Sequence, residues 1–213
     1  MMSEQTKGKP LMLSIIGACI LMAGIANVYG QSGGFSEFKD YVYPVGKLIP
    51  RDSVPMLNVG DSAPDFTLPA VYGSKVSLSQ FKGKRNVVIS FVPAAWTPVC
   101  SDQWPGYNIV KDLFDKHDAI LLGISVDNIP TLYAWTKQMV TQNENLWFPV
   151  LSDFYPHGAV ALKYGVLRSE GVTERAIFLI NKKGIISYID IHNINQRPPL
   201  EDLAKALEAL DKQ

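Results

Sequence analysis

The sequence predicts an α/β fold: a central mixed β-sheet with helices on both faces, preceded by an apolar N-terminal segment. Three observations carry this. Two uncharged, mostly apolar runs, 86–92 and 119–126, do not alternate and read as strands buried on both sides. Segments with apolar residues at helical spacing lie between the extended runs. Near the C-terminus, two apolar runs flank Asn181-Lys182-Lys183-Gly184, a turn-forming stretch that predicts a hairpin, and an amphipathic segment closes the chain.

Taken in order, residues 1–30 read as a signal peptide or membrane anchor. Lys7 and Lys9 precede the uncharged run Leu11–Ala26, and Val28 and Gly30 suit the small positions of a cleavage site after Gly30. Three outcomes stay open: a cleaved signal peptide, an uncleaved anchor tethering the protein through residues 11–29, or a lipoprotein modified at Cys19 in Ile16-Gly17-Ala18-Cys19. Each exports the protein, to a bacterial periplasm or to the outer face of a membrane. Residues 31–57 form an extended linker, because Gly33, Gly34, Pro44, Pro50 and Pro55 break any long element. Within it, Tyr41, Val42, Tyr43 and Val45 either lie across the domain as an arm or meet a partner.

The domain proper spans 58–213. A loop leads into a short strand at Phe66-Thr67-Leu68, and Lys75-Val76-Ser77-Leu78 alternates like a half-buried strand. A charged turn, 81–85, delivers the chain into 86–92. After Cys100, Trp104, Ile109, Val110 and Leu113 recur at helical spacing, with Pro105 and Gly106 predicting a bend or a distorted first turn. Residues 119–126 form a strand, 129–140 a helix, 147–151 a short extended piece and 158–164 a short helix. Residues 176–180 and 185–189 make the hairpin, and 200–210 a helix with Leu200, Leu203, Ala204, Leu207 and Leu210 on one face.

The 213 residues suffice for one sizeable core. Twenty basic and twenty acidic residues balance, which argues against nucleic acid as a partner. Two cysteines in different kinds of segment make neither a disulfide framework nor a clustered zinc site. His117, His157 and His192 are scattered without ligand spacing and read as surface or loop residues. No metal and no cofactor is expected.

One stretch carries chemistry. Pro93-Ala94-Ala95-Trp96-Thr97-Pro98-Val99-Cys100 joins the end of a predicted strand to the start of a predicted helix. Unpaired amides and the helix dipole there favour a thiolate over a thiol. By itself, a lone cysteine after an apolar strand reads as an inert core residue.

The pattern Pro93-x-x-x-Thr97-x-x-Cys100 resembles the active-site signature of peroxiredoxins, thiol peroxidases of the thioredoxin superfamily. Residues 60–68 and 78–84 also look peroxiredoxin-like, and the resemblance covers about 58–210. It implies a thioredoxin-like fold, with Cys100 as the peroxidatic nucleophile, Thr97 orienting the peroxide and Pro93 shielding the sulfur. It also implies that Arg175, just before an apolar strand, is the distant cation at the sulfur. Many family members carry Glu where this chain has Gln103, which puts a charge-pair role there in doubt. Trp96 reads as packing against the loop.

The substrate so implied is hydrogen peroxide or an organic hydroperoxide. Residues 31–213 hold no second cysteine, so an external thiol or a thioredoxin-like partner would have to reduce the sulfenic acid. The family leaves a homodimer open. Two alternatives stand beside the peroxidase: an exported thiol-disulfide oxidoreductase, weakened by threonine at the first position of a Cys-x-x-Cys motif, and a non-catalytic binding protein in which Cys100 is incidental.

Overall fold

The computed structural model describes residues 40–140 and 144–211. The expected signal peptide or anchor (1–30), the tether over 11–29 and Cys19 lie outside the described residues. Among those described, no helix is long and apolar enough to cross a membrane.

The sheet is built from five strands in the order β5-β4-β3-β6-β7. Its centre is β3 (Asn86–Phe91), every residue of which is buried. It pairs in parallel with β4 (Ala119–Ser125) and antiparallel with β6 (Arg175–Ile180). β5 (Val150–Ser152) extends β4 in parallel, and β7 (Ile186–His192) closes the hairpin on β6. The sheet is therefore mixed, as the element order predicts. A two-stranded ribbon, β1 (Thr67–Pro69) and β2 (Lys75–Ser77), forms a separate sheet whose continuation bridges to β5 at Ala70 and Leu151.

Each inner strand feeds two cores because side chains alternate. Val87, Ile89 and Phe91 join Leu122, Ile124, Ala176 and Phe178 in a cluster covered by Phe66, Leu68 and by Val160 and Ala161 of α4 (Ala159–Lys163). On the opposite side, Ser90 accepts from the Trp104 indole at 3.2 Å, so α1 (Pro98–Ile109) packs there. Gly123 of β4 makes that approach feasible. A Cβ on it would stand 2.8 Å from the Trp104 ring, closer than van der Waals contact allows. The Trp104 ring in turn stacks, tilted, 5.0 Å from Trp135 of α3 (Ile129–Gln138). α5 (Leu200–Leu210) buries Leu203 and Leu207, two of the five residues of its predicted apolar face.

Several boundaries differ from expectation for local reasons. The strand expected over 75–78 stops at Ser77. Ser77 and Gln80 form a capping box that winds 78–81 into a 3-10 turn. The extended piece expected over 147–151 becomes a strand only after Pro149, which has no N–H for the ladder but offers its carbonyl to Gly123 N at 3.0 Å. α1 has a regular first turn and runs past Pro105. The break falls instead at Val110 (φ −105°, ψ 34°), before α2 (Lys111–Lys116). The helix expected over 129–140 ends at Gln138. His117 is a correction: it is buried at the end of α2, where Nδ1 meets the Asp211 carboxylate at 2.7 Å.

The described part of the linker, 40–57, is extended but not detached. Tyr43 N donates to Trp96 O at 2.6 Å, and Ile194 N donates to Pro50 O at 3.1 Å. From Tyr41 onward the chain belongs to the same compact unit as the sheet.

Candidate active site

The loop from β3 to α1 is shaped before it reaches the sulfur. Ala95 N and the Ser125 hydroxyl both donate to the Asp127 carboxylate, at 2.7 and 2.5 Å, which pins the loop to the end of β4. Trp96 then takes φ +62°, a left-handed conformation rare for a large side chain and of the kind found at functional turns. Its ring meets Tyr41 edge-on, centroids 6.3 Å apart. Thr97 is extended and is the N-cap residue of α1, and Pro98 fills the first helical position, where no N–H is needed.

Cys100 is the third residue of α1. The first amide to bond back along the helix is Ser101 N, to Thr97 O at 3.0 Å. The Val99 and Cys100 amides come before that bond, so neither has an intrahelical acceptor, and the positive end of the dipole lies at the sulfur.

Arg175, the first residue of β6, comes from the other side of the sequence. Its side chain is almost wholly buried. Nη2 donates to Cys100 Sγ at 3.4 Å and to Ile194 O at 3.1 Å. Nε donates to the same carbonyl at 3.2 Å, and Nη1 donates to Gln103 Oε1 at 2.6 Å. None of these partners is a carboxylate. Gln103 completes the frame, its Nε2 donating to Ser90 Oγ at 3.1 Å and to the Tyr107 hydroxyl at 3.3 Å. Burial pushes the Tyr107 hydroxyl up to about 12, so it stays neutral near neutral pH.

Thr97 Oγ1 donates to Ala94 O at 2.9 Å. Its one proton is thereby used, and its free lone pairs make it an acceptor. Pro93 is buried, Thr97 half-buried. Pro93, Thr97, Val99 and Arg175 line one cavity of about 630 Å³. Cys100 has no exposed surface. It sits behind that wall, among an arginine, a glutamine and helix amides rather than in an aliphatic core.

The structure thus brings Cys100, Thr97, Pro93 and Arg175 to one place. Sequence reasoning missed three supports. Gln103 departs from the family pattern and brings no charge, yet it bridges the guanidinium to Ser90 and Tyr107. Asp127, an acid at the end of a strand, was a readable signal for a loop anchor. The Ile194 carbonyl carries no residue-type signal at all. Among the described residues, no group of three or more His, Cys, Asp or Glu is placed to hold a metal.

Comparison with known proteins agrees with this geometry. The AhpC/TSA family model matches residues 59–189. Alkyl hydroperoxide reductase E of Mycobacterium tuberculosis is 37% identical over 137 residues, 64% of this chain and 86% of that protein. The chloroplastic 2-Cys peroxiredoxin of Spinacia oleracea is 31% identical over 165 residues, 75% of this chain and 61% of that one. Among solved structures, the reduced 2-Cys peroxiredoxin of Plasmodium vivax superposes with TM-score 0.68 at 29% identity, covering 74% of this chain and 83% of that one. A yeast mitochondrial 1-Cys peroxiredoxin shares the fold, with TM-score 0.67 at 23% identity over 74% of this chain and 78% of its own.

Proposed function

The chain belongs to the AhpC/TSA family of peroxiredoxins and is a thiol peroxidase, and from that premise we propose a one-cysteine cycle centred on Cys100. The observation that carries this reading is the Arg175 guanidinium, free of any carboxylate partner, donating to Cys100 Sγ at the start of a helix.

In the first half-cycle the Cys100 thiolate attacks the terminal oxygen of a hydroperoxide ROOH. A sulfur–oxygen bond forms, the O–O bond breaks, and RO⁻ leaves. The sulfur pair is the reductant, giving CysSOH, and RO⁻ takes a proton from solvent as ROH. Thr97, already committed as a donor to Ala94, accepts from the peroxide O–H and aims it. The Val99 and Cys100 amides and Arg175 donate to the oxygens as charge builds on the leaving one. The peroxide is taken up in the cavity that Thr97, Val99 and Arg175 line. Pro93 keeps water and bulky groups off.

In the second half-cycle an external thiol R′SH condenses with CysSOH, releasing water and leaving a mixed disulfide. A second thiol displaces R′S–SR′ and restores Cys100. This part rests on the cysteine count: the sequence has only Cys19 besides Cys100, and Cys19 falls within the expected export segment. A thioredoxin-like protein or a small thiol serves as reductant. Export through residues 1–30 belongs to the same proposal and rests on the apolar run Leu11–Ala26.

The test compares variants in turnover with an added thiol. Cys100→Ser abolishes peroxide consumption, and Cys19→Ser leaves it intact. Mass spectrometry after one equivalent of peroxide finds one added oxygen on Cys100. A disulfide between Cys19 and Cys100 that is required for turnover overturns the one-cysteine cycle.

A further inference from the structure

The cavity in front of Arg175 is larger than hydrogen peroxide needs. At about 630 Å³ it falls in the range of sites that hold whole organic ligands. One side is the active-site loop. The other is Pro44–Leu48, a segment that precedes the family-matched residues 59–189. Pro44, Val45 and Leu48 line it together with Pro93, Val99 and Ile194, and although Lys47 and the 193–196 loop add polar groups, the lining beyond Thr97 and Arg175 is mostly apolar.

This arm is fastened, not merely adjacent. The Asn195 side chain clamps Leu48 in both directions, accepting from Leu48 N and donating to Leu48 O, each at 2.8 Å. Asp52 N and Ser53 N donate to Glu174 Oε1 at 2.7 and 2.8 Å. Glu174 is itself buried and paired with Arg168 at 2.9 Å. The anchors are neighbours of the catalytic frame: Glu174 precedes Arg175, and Asn195 follows Ile194, whose carbonyl takes two bonds from the guanidinium. A segment with many exposed residues has thus been tied down where it walls the reaction site.

We propose that the arm is a substrate-selecting wall. It seats the apolar tail of an organic hydroperoxide whose –OOH end reaches Thr97 and Arg175, and Asn195 is the positioning residue that holds it there. The proposal rests on the peroxidase reading above and adds the segment that selects among its hydroperoxide substrates. The chemistry is unchanged: ROOH gives ROH as Cys100 becomes the sulfenic acid. Selection arises because a tail desolvated against Pro44, Val45 and Leu48 adds binding that hydrogen peroxide cannot use.

The test measures single-turnover oxidation of Cys100 in the full chain by stopped-flow fluorescence, with cumene hydroperoxide and with hydrogen peroxide, so that no reductant enters. Wild type should oxidise faster with cumene hydroperoxide. Val45→Ser should lower the cumene-to-hydrogen-peroxide rate ratio about tenfold, the effect expected of losing one apolar contact in a pocket. Asn195→Ala should lower the same ratio and speed tryptic cleavage after Lys47 or Arg51. Ile49→Ser, on the arm but outside the cavity and largely exposed, should change neither rate. The proposal is overturned if hydrogen peroxide reacts as fast as cumene hydroperoxide in wild type. It also fails if the ratio holds in Val45→Ser, or if Asn195→Ala frees the arm and slows both peroxides equally. A wild-type protein inert to both peroxides overturns the peroxidase reading itself, and this proposal with it.

Discussion

Replacing Arg175 with lysine separates charge from geometry. The guanidinium makes four hydrogen bonds, one to Cys100 Sγ, one to Gln103 Oε1 and two to Ile194 O. A lysine ammonium keeps the charge but concentrates its donors at one atom on a shorter span, and cannot reach all three acceptors together. Meeting Gln103 and Ile194 leaves the sulfur and the leaving oxygen without their donor. Removing one preorganised donor from a developing oxyanion costs about 3–4 kcal/mol, or about 10²–10³ in rate. The acceptors left behind cost stability as well, about 1–3 kcal/mol for each one unpaired. The assay is the second-order rate of Cys100 oxidation by stopped-flow fluorescence, with a thermal melt alongside. We expect Arg175→Lys to lose about 10²-fold in rate and several degrees in Tm. A variant within about threefold of wild type, less than 1 kcal/mol of barrier, would refute the reasoning by showing that charge alone suffices.

Other expectations can be checked together. Gln103→Leu leaves Arg175 Nη1 without its acceptor, so oxidation should slow by about tenfold and Tm should fall, each read in the same assays. Gly123→Ala forces a Cβ into the Trp104 ring and should destabilise by about 1–3 kcal/mol in urea unfolding; no change would mean the ring moves freely. Glu174→Gln removes one of the two carboxylates on buried Arg168, with Glu170 keeping the other, and should cost about 1–3 kcal/mol on the same measure. The Tyr107 hydroxyl is raised from 10.0 to about 12, so the folded state holds its proton where the unfolded chain has released it. Stability from this source is intact below about pH 10 and is lost as pH rises toward about 12. Urea unfolding of Tyr107→Phe should fall less steeply across that window, by about 2–3 kcal/mol at its top.

The elements that sequence placed well are those whose signal is their own composition. Asn86–Phe91 and Ala119–Ser125 read as strands because nothing in them suits a solvent face, and Leu200–Leu210 reads as a helix from its one apolar stripe. Boundaries slipped where a single donor decides them. Pro149 postpones β5, and the Ser77–Gln80 capping box turns the chain out of β2. At the site, position places Cys100 between a strand and a helix, but its role as nucleophile, like the role of Arg175, was legible only through the family likeness, since a lone cysteine after an apolar strand reads as a core residue and nothing local distinguishes a strand-end arginine. Its burial against the Ile194 carbonyl depends on backbone contacts between distant segments. The arm was legible only as a broken stretch of glycines and prolines, with its placement open. Its hydrogen bonds use backbone groups that every residue carries, so no pattern of residue types announces them.

The account stands on one sulfur acting as the nucleophile toward a hydroperoxide. The most direct measurement is the rate at which wild-type protein, fully reduced, is oxidised by hydroperoxide, with Cys100 followed by mass spectrometry at each time. The account predicts a rate orders of magnitude above that of a free thiolate, with one oxygen added at Cys100 in step with the fluorescence change. Oxidation at the speed of free cysteine, or a fluorescence change that precedes any modification of Cys100, would contradict it.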